Sequence, residues 1–272
     1  MIGMKDSLVR FDQLIREIAA KEESRLRFKA NVLVVSEIAQ QYYCEKKVEM
    51  NRTHGEEETF EMKLGKEAHE LLLKETVKVK REELWRKIYS GKPVAAREML
   101  LLGKHNGVII AGVADAVVFY GGFPIFLFEH KFSNKQVPFI DHHVQAELYC
   151  YLLHLMGWDT SKLKYALVIA PPKCRDDKEL RKISSYVLQQ PREEKLRVKL
   201  QTGNANIYIN GFDMRKTINE LDWALGFWTQ ERPAKPTTKI GKCAACQQFK
   251  EICESSLLRS FNLNRNTSLE VL

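Results

Sequence analysis

Residues 107–132 read GVIIAGVADAVVFYGGFPIFLFEHKF and form the longest apolar stretch of the chain. Gly121-Gly122 interrupts it, so it reads as two strands, Gly107–Tyr120 and Phe123–Phe132, joined in a hairpin. Three charged residues lie inside: Asp115, then, after thirteen intervening residues, Glu129-x-Lys131. A charge on a half-buried strand costs free energy unless it is paired or binds a cation. Side-chain alternation puts Glu129 and Lys131 on one face, with Phe128 and His130 on the other. Positions 115 and 129 are equidistant from Gly122, so a connection centred there sets Asp115 opposite Glu129. A two-residue turn at Gly121-Gly122 would instead set Asp115 opposite Phe128 and turn it to the other face. A joint site therefore requires an odd-length loop or a bulge.

Two carboxylates and a lysine suit the hydrolysis of phosphodiesters. Mg2+ and Mn2+ prefer oxygen ligands, and two carboxylates leave positions open for water and a phosphate oxygen. Lys131 supplies a point cation to orient the nucleophile and neutralise developing charge. The pattern by itself is equally compatible with a surface ion pair between Glu129 and Lys131. Further groups could complete a site. His69, in Gly65-Lys66-Glu67-Ala68-His69, would offer an imidazole donor, which favours Mn2+. Gln145 and Tyr149, four apart, share a helix face beside the stripe Val144, Leu148, Leu152 and Leu155. Gln145 could hold water or phosphate there, and Tyr149 could stack on a base.

Outward from the hairpin, the 272 residues suffice for a full core, as one large domain or one and a half. Hydrophobic residues make up 44% and charged residues 29%, as in ordinary globular proteins. The net charge of +8 favours a polyanionic partner over an acidic small molecule. No stretch reads as a membrane span, and the N-terminal residues lack the apolar core of a signal peptide. The expected location is the cytoplasm, where reducing conditions disfavour disulfides among six cysteines.

Residues 1–30 read as an amphipathic helical extension (Leu8, Phe11, Leu14, Ile15, Ile18), 31–232 as the main domain and 233–272 as a cysteine-bearing segment. Ser36 is expected to cap a helix carrying Tyr42, Tyr43 and Cys44. A helical pattern over Phe60–Lys78 carries His69, and Trp85–Met99 reads as helix fading into strand. Asp141–Met156 reads as helix closed by Gly157. Leu163–Ala170, Ile183–Gln189 and 206–210 read as strands, the first two joined by a basic loop with Lys173, Arg175, Lys178, Arg181 and Lys182. Phe212–Gln230 reads as a long helix with Trp223, Phe227 and Trp228 on its apolar side.

Cys243, Cys246 and Cys253, with distant Cys44, offer four thiolates, a soft donor set for zinc or an iron–sulfur cluster. Spacing does not separate the two. Such a centre would tie the N-terminal half to the C-terminal tail across a long loop. Cys150, among Tyr149, Tyr151 and Leu152, reads as a core thiol, and Cys174 as a free thiol in the basic loop.

Taken together, these motifs resemble the RecB-like iron–sulfur nucleases of the PD-(D/E)XK superfamily, and within it the CRISPR-associated Cas-four-type exonucleases. In chain order the resemblance rests on Cys44, Gly65…His69, Gly112-Val113-Ala114-Asp115, Glu129-His130-Lys131, Gln145…Tyr149, and Cys243, Cys246 and Cys253. It covers roughly residues 31–255. It implies an α/β restriction-endonuclease-like core, a mixed sheet flanked by helices, with a [4Fe-4S] cluster on the four cysteines. It also implies Mg2+- or Mn2+-dependent cleavage of single-stranded DNA, most often from the 5′ end. His69, Asp115 and Glu129 would be metal ligands, Lys131 the catalytic lysine, and Gln145 and Tyr149 supporting groups. In CRISPR-bearing cells such proteins process new spacers beside the integrase proteins, which would be partners here. A stand-alone repair nuclease and a DNA-end-binding scaffold are the alternatives. The N-terminal helix and the basic loop also offer surfaces for a homo-oligomer. The chain departs from the family at Glu45-Lys46-Lys47, where a Pro-Arg run is more usual, and in extra length over 1–30 and 172–206.

Overall fold

A computed structural model describes residues 3–20, 24–54, 75–174, 177–190, 192–201, 203–246 and 252–257. The expected helix around His69 therefore lies largely outside the described residues. The hairpin is the centre of a seven-stranded mixed sheet flanked by helices. Its strands are β3 (Val108–Tyr120) and β4 (Phe123–Phe132), paired antiparallel. On one edge of β3 lies β2 (Val94–His105), antiparallel. Beyond β4 come β5 (Lys164–Ala170), parallel, then antiparallel β7 (Gly203–Gly211) and β6 (Lys195–Leu200). Short β1 (Leu33–Val34) runs parallel to β3 at Ile110 and Ala111.

The β3–β4 ladder begins as a two-residue turn, pairing Tyr120 with Phe123 and Phe119 with Pro124. The register then shifts, and Val118 pairs with Phe126, Val117 with Leu127 and Ala116 with Phe128. Ile125 is the extra residue of a bulge, which turns over the face presented by everything beyond it. Val117 and Leu127 belong to the larger core and Ala116, Val118, Phe126 and Phe128 to the smaller one on the opposite face. By alternation Asp115 follows Val117, and Glu129 and Lys131 follow Leu127, onto the larger core's face.

That face is covered by α1 (Met4–Ala19), α2 (Val35–His54), α3 (Glu75–Tyr89), α4 (Ile140–Leu155) and α6 (Met214–Trp228). Helix α1 buries Phe11, Ile15 and Ile18 in this core and donates from Ser7 Oγ to the Met156 carbonyl (3.1 Å), so it is continuous with the domain. The smaller core is closed by α5 (Asp177–Gln189), through Leu180, Ile183 and Val187.

This last element corrects the strand expected at Ile183–Gln189. Leu180, Ile183 and Val187 recur with helical spacing, a period hidden when the window starts at Ile183. Lys178, Arg181 and Lys182 consequently stand on a helix rather than a loop. The Cys174 thiol, preceding that helix and in no disulfide as expected, is fully buried and lies 3.3 Å from Glu179 Oε2. Ser36 lies inside α2 rather than capping it, because β1 runs directly into the helix at Val35. Strand β6 was not anticipated, although its Lys195–Leu200 pattern of exposed and buried residues alternates cleanly.

Helix α2 breaks at Cys44, which adopts an extended conformation (φ −171°, ψ 117°). The break is held by Glu45, which is buried beneath the C-terminal segment. Its carboxylate accepts two bonds from the Arg232 guanidinium (2.6 and 2.7 Å), one from the Lys235 backbone N–H (2.7 Å) and one from Gln41 Nε2 (2.9 Å). A buried carboxylate deprived of its cation is left uncompensated. Arg232→Ala should therefore lower unfolding free energy by about 3–5 kcal/mol in denaturant titration, far more than loss of a surface pair.

Candidate functional site

Strand β3 shares one edge between two partners. β1 covers it at Ile110 and Ala111, and β4 takes over from Ala116 onward. Asp115 stands at the split between them. Across the other edge, the level of Asp115 on β2 is Glu98, which has a left-handed φ of 46° and drops out of the ladder between Arg97 and Met99. Non-glycine residues held in this region store strain, and they cluster at functional sites.

The Asp115 carboxylate accepts a bond from the His130 backbone N–H (2.6 Å), and the same oxygen lies 3.3 Å from His130 Nδ1. Although alternation puts His130 on the far face, the opening of the sheet lets its ring reach Asp115. Glu129 is buried, and its Oε1 pairs with Lys131 Nζ at 2.8 Å. Its Oε2 is buried without a hydrogen-bond partner. Burial pushes the Glu129 pKa up to about 7; Lys131 opposes the rise, and the negative charge of Asp115 adds to it. The two carboxylates thus sense one another at the mouth of the split.

Lys131 Nζ also donates to Gln145 Oε1 (2.7 Å), and Gln145 Nε2 donates to Tyr149 Oη (3.0 Å). Glu129, Lys131, Gln145 and Tyr149 are therefore one relay from β4 to α4. Tyr149 is buried, so it positions Gln145 and does not stack on a base. Its ring lies over Gly112, where an added Cβ would come within 2.5 Å of Tyr149 Cε1 and 2.9 Å of Val35 Cγ2. The glycine of Gly112-Val113-Ala114-Asp115 thus has a packing reason, and it lets α2 and α4 close over the site.

Among the described residues, no group of three His, Cys, Asp or Glu side chains converges to metal-ligating geometry. His69 lies outside the described residues. The donor set still fits a hard divalent cation: two neighbouring carboxylates, one with a desolvated oxygen lacking any partner. His142, near the start of α4, was not singled out from sequence. Burial lowers its pKa, Asp141 raises it, and Lys131 and His143 lower it further. The adjacent pair His142-His143 at a helix start was the available signal.

Cys44, Cys243, Cys246 and Cys253 line a single cavity between the break in α2 and the short helix α7 (Ile240–Ala245). All four are free thiols, half-buried. Burial raises the Cys253 thiol, a backbone bond from Ser255 opposes this, and Cys44, Cys243 and Cys246 each add to the rise. The Thr237 N–H donates to Cys44 Sγ (3.4 Å). Lys242 seals one side, donating to the carbonyls of Tyr42 (2.9 Å) and Tyr43 (3.0 Å). The soft donor set is compatible with a metal or cluster, although the thiols do not themselves converge into a metal site. Cys150 is fully buried, and Cys174 lies in the other core.

No family model matches the chain, and no curated protein matches it. Among solved structures it is similar to one titled "Crystal structure of SSO0001". The two share 16% sequence identity over 91% of this chain and 96% of that one, with a TM-score of 0.41. A superposition so loose carries no argument about fold or function. No helix among the described residues is long and apolar enough to cross a membrane.

The raised Glu129 pKa fixes a pH dependence for the metal-free protein. The folded state holds this proton more tightly than the unfolded chain, whose carboxyl titrates near 4.5. The proton-linked contribution is therefore full below that value and is lost as pH rises through about 7. Glu129→Gln should remove a loss on the order of 1–3 kcal/mol between pH 5 and 8, read as a flatter dependence of melting temperature on pH.

Proposed function

We propose that this chain is a divalent-metal-dependent nuclease that shortens single-stranded DNA, of the RecB-like PD-(D/E)XK kind. The observation that carries the reading is the buried, unpartnered Glu129 Oε2 beside Asp115, at a split in the sheet where Lys131 is held by Gln145. A structural ion pair would account for Glu129 with Lys131, but it gives no reason for a second carboxylate that raises the pKa of the first. Asp115 and Glu129 would hold the cation, with His69 as a further donor. The bound Mg2+ or Mn2+ would acidify a water and screen charge on the phosphate.

The protein's own groups set the geometry. Tyr149 fixes the amide orientation of Gln145, and Gln145 holds Lys131 Nζ at the carboxylate edge. There the ammonium can orient the nucleophile and offset charge on the phosphate oxygens. His130 holds Asp115 through its backbone N–H. The restriction-endonuclease-like core, 5′-directed action, a [4Fe-4S] cluster on Cys44, Cys243, Cys246 and Cys253, and partnership with CRISPR integrase proteins belong to the same proposal. They rest on the sequence resemblance, and for the cluster also on the shared thiol cavity.

Two experiments test the proposal. With Mn2+, wild-type protein should shorten end-labelled single-stranded DNA. Asp115→Ala and Lys131→Ala should each reduce the rate by about a hundredfold or more while melting as folded proteins. Undiminished cleavage in Asp115→Ala would sink the assignment. Anaerobically purified protein should be brown with a charge-transfer band and lose it on Cys243→Ser; colourless protein carrying one zinc would replace the cluster with a zinc site.

A further inference from the structure

Trp223 was expected on the buried side of α6, yet its indole is exposed. Two neighbours hold it: Tyr42 packs against it (ring centroids 5.2 Å apart), and the Arg232 guanidinium lies over it at 4.3 Å. The outer part of the ring borders a groove adjoining the thiol cavity. The groove runs between the break in α2, α6, the segment 235–239 and the first turn of α4. Lys235 and Lys239 line it and are exposed, and Lys235 Nζ stands 5.7 Å from the Trp223 ring centre. The acidic residue in the lining is Glu45, whose carboxylate is consumed by Arg232, Gln41 and the Lys235 backbone. Exposed Ile140, the first residue of α4, closes one end. From there the same helix leads within a turn to His142, which feels the charge of Lys131, and then to Gln145, which holds that lysine.

We propose that this groove is a binding track for a single strand of nucleic acid, with Trp223 as its base-stacking platform and Lys235 and Lys239 as phosphate contacts. A half-exposed indole flanked by exposed cations is how sequence-tolerant single-strand sites are built: every base has a face to stack, and every linkage carries a charge. Among the described residues the groove's lining carries Lys235, Lys239 and Lys242 against Glu45, and Asp141 beside Ile140 is a carboxylate whose charge reaches Lys242 and Tyr43; the excess of cations suits a polyanion. Its lining includes the first residue of the helix whose Gln145 holds Lys131, so a strand lying in it would run beside the proposed metal centre. This inference rests on the reading of the chain as a single-strand nuclease, and it locates where that strand lies.

The test is binding of a fluorescein-labelled oligo-dT of about twelve nucleotides, in EDTA, by anisotropy and tryptophan quenching. Lys235→Glu/Lys239→Glu should weaken binding about tenfold or more and reduce the salt slope by about 1–2. The charge-matched Lys92→Glu/Lys162→Glu, outside the groove, should bind as wild type does. Trp223→Ala should lose binding and quenching, whereas Trp223→Phe should retain most of the affinity. Melting curves identify any variant that has failed to fold. Equal affinity of the Lys235/Lys239 and control proteins, or binding of duplex alone, would overturn the proposal. Wild-type binding that depends on Lys235 and Lys239, without cleavage in Mn2+, would keep the groove and reject the nuclease. Cleavage indifferent to both lysines would do the reverse.

Discussion

One inserted residue, Ile125, decides which face of β4 meets α4. Without it, the ladder that begins with Tyr120 opposite Phe123 would continue unbroken. Glu129 and Lys131 would then turn away from Asp115 and toward the smaller core. With it, Asp115, Glu129 and Lys131 continue the Val117 and Leu127 face, where α4 supplies Gln145. Everything described at the candidate centre is downstream of that shift: the carboxylate proximity, the Lys131–Gln145 bond and the relay to Tyr149. A bulge is a small local irregularity, but strand side chains have a period of two, so its effect on facing is all-or-none.

The hairpin was legible in the sequence because its apolar run is long and its break at Gly121-Gly122 is sharp. The requirement for an irregular register was legible too, since Asp115 and Glu129 could share a face only in that way. The position of the bulge was not, because nothing in Phe123-Pro124-Ile125-Phe126 distinguishes the extra residue before packing selects it. Strand β6 escaped notice because its exposed positions are Lys195, Arg197 and Lys199, which in isolation resemble a solvated loop. The opposite mistake occurred at Ile183–Gln189, where a short window hid the helical spacing from Leu180 onward. Trp223 was misplaced because an aromatic at helical spacing is ordinarily core. Only the fold shows it packed against Tyr42 and Arg232 and yet exposed.

The departure Glu45-Lys46-Lys47 acquires a physical meaning in the fold. A chain that must leave helical geometry at Cys44, then resume it, needs something to hold the break open. Glu45 does this by drawing Arg232 and the backbone at Lys235 onto itself. The same carboxylate keeps the segment 232–239 against α2, so the thiol cavity and the Trp223 groove share a wall. A strong interaction at one buried acid thus fixes the relative placement of two surfaces, neither of which is lined by Asp115 or Glu129.

Cys44 lies in the first quarter of the chain and Cys253 near its end, yet both line one cavity. During synthesis that cavity cannot close until the segment bearing Cys253 has left the ribosome, long after Cys44. The sheet, the Asp115–Lys131 cluster and the helices over it are all encoded upstream of the last three cysteines. The main body can therefore be folded before the thiol pocket exists, so closure of that pocket reports on the arrival of the segment from Cys243 to Cys253. A chain stopped before Cys243 would retain most of the core while lacking the pocket, a difference in a local chemical property rather than in global stability.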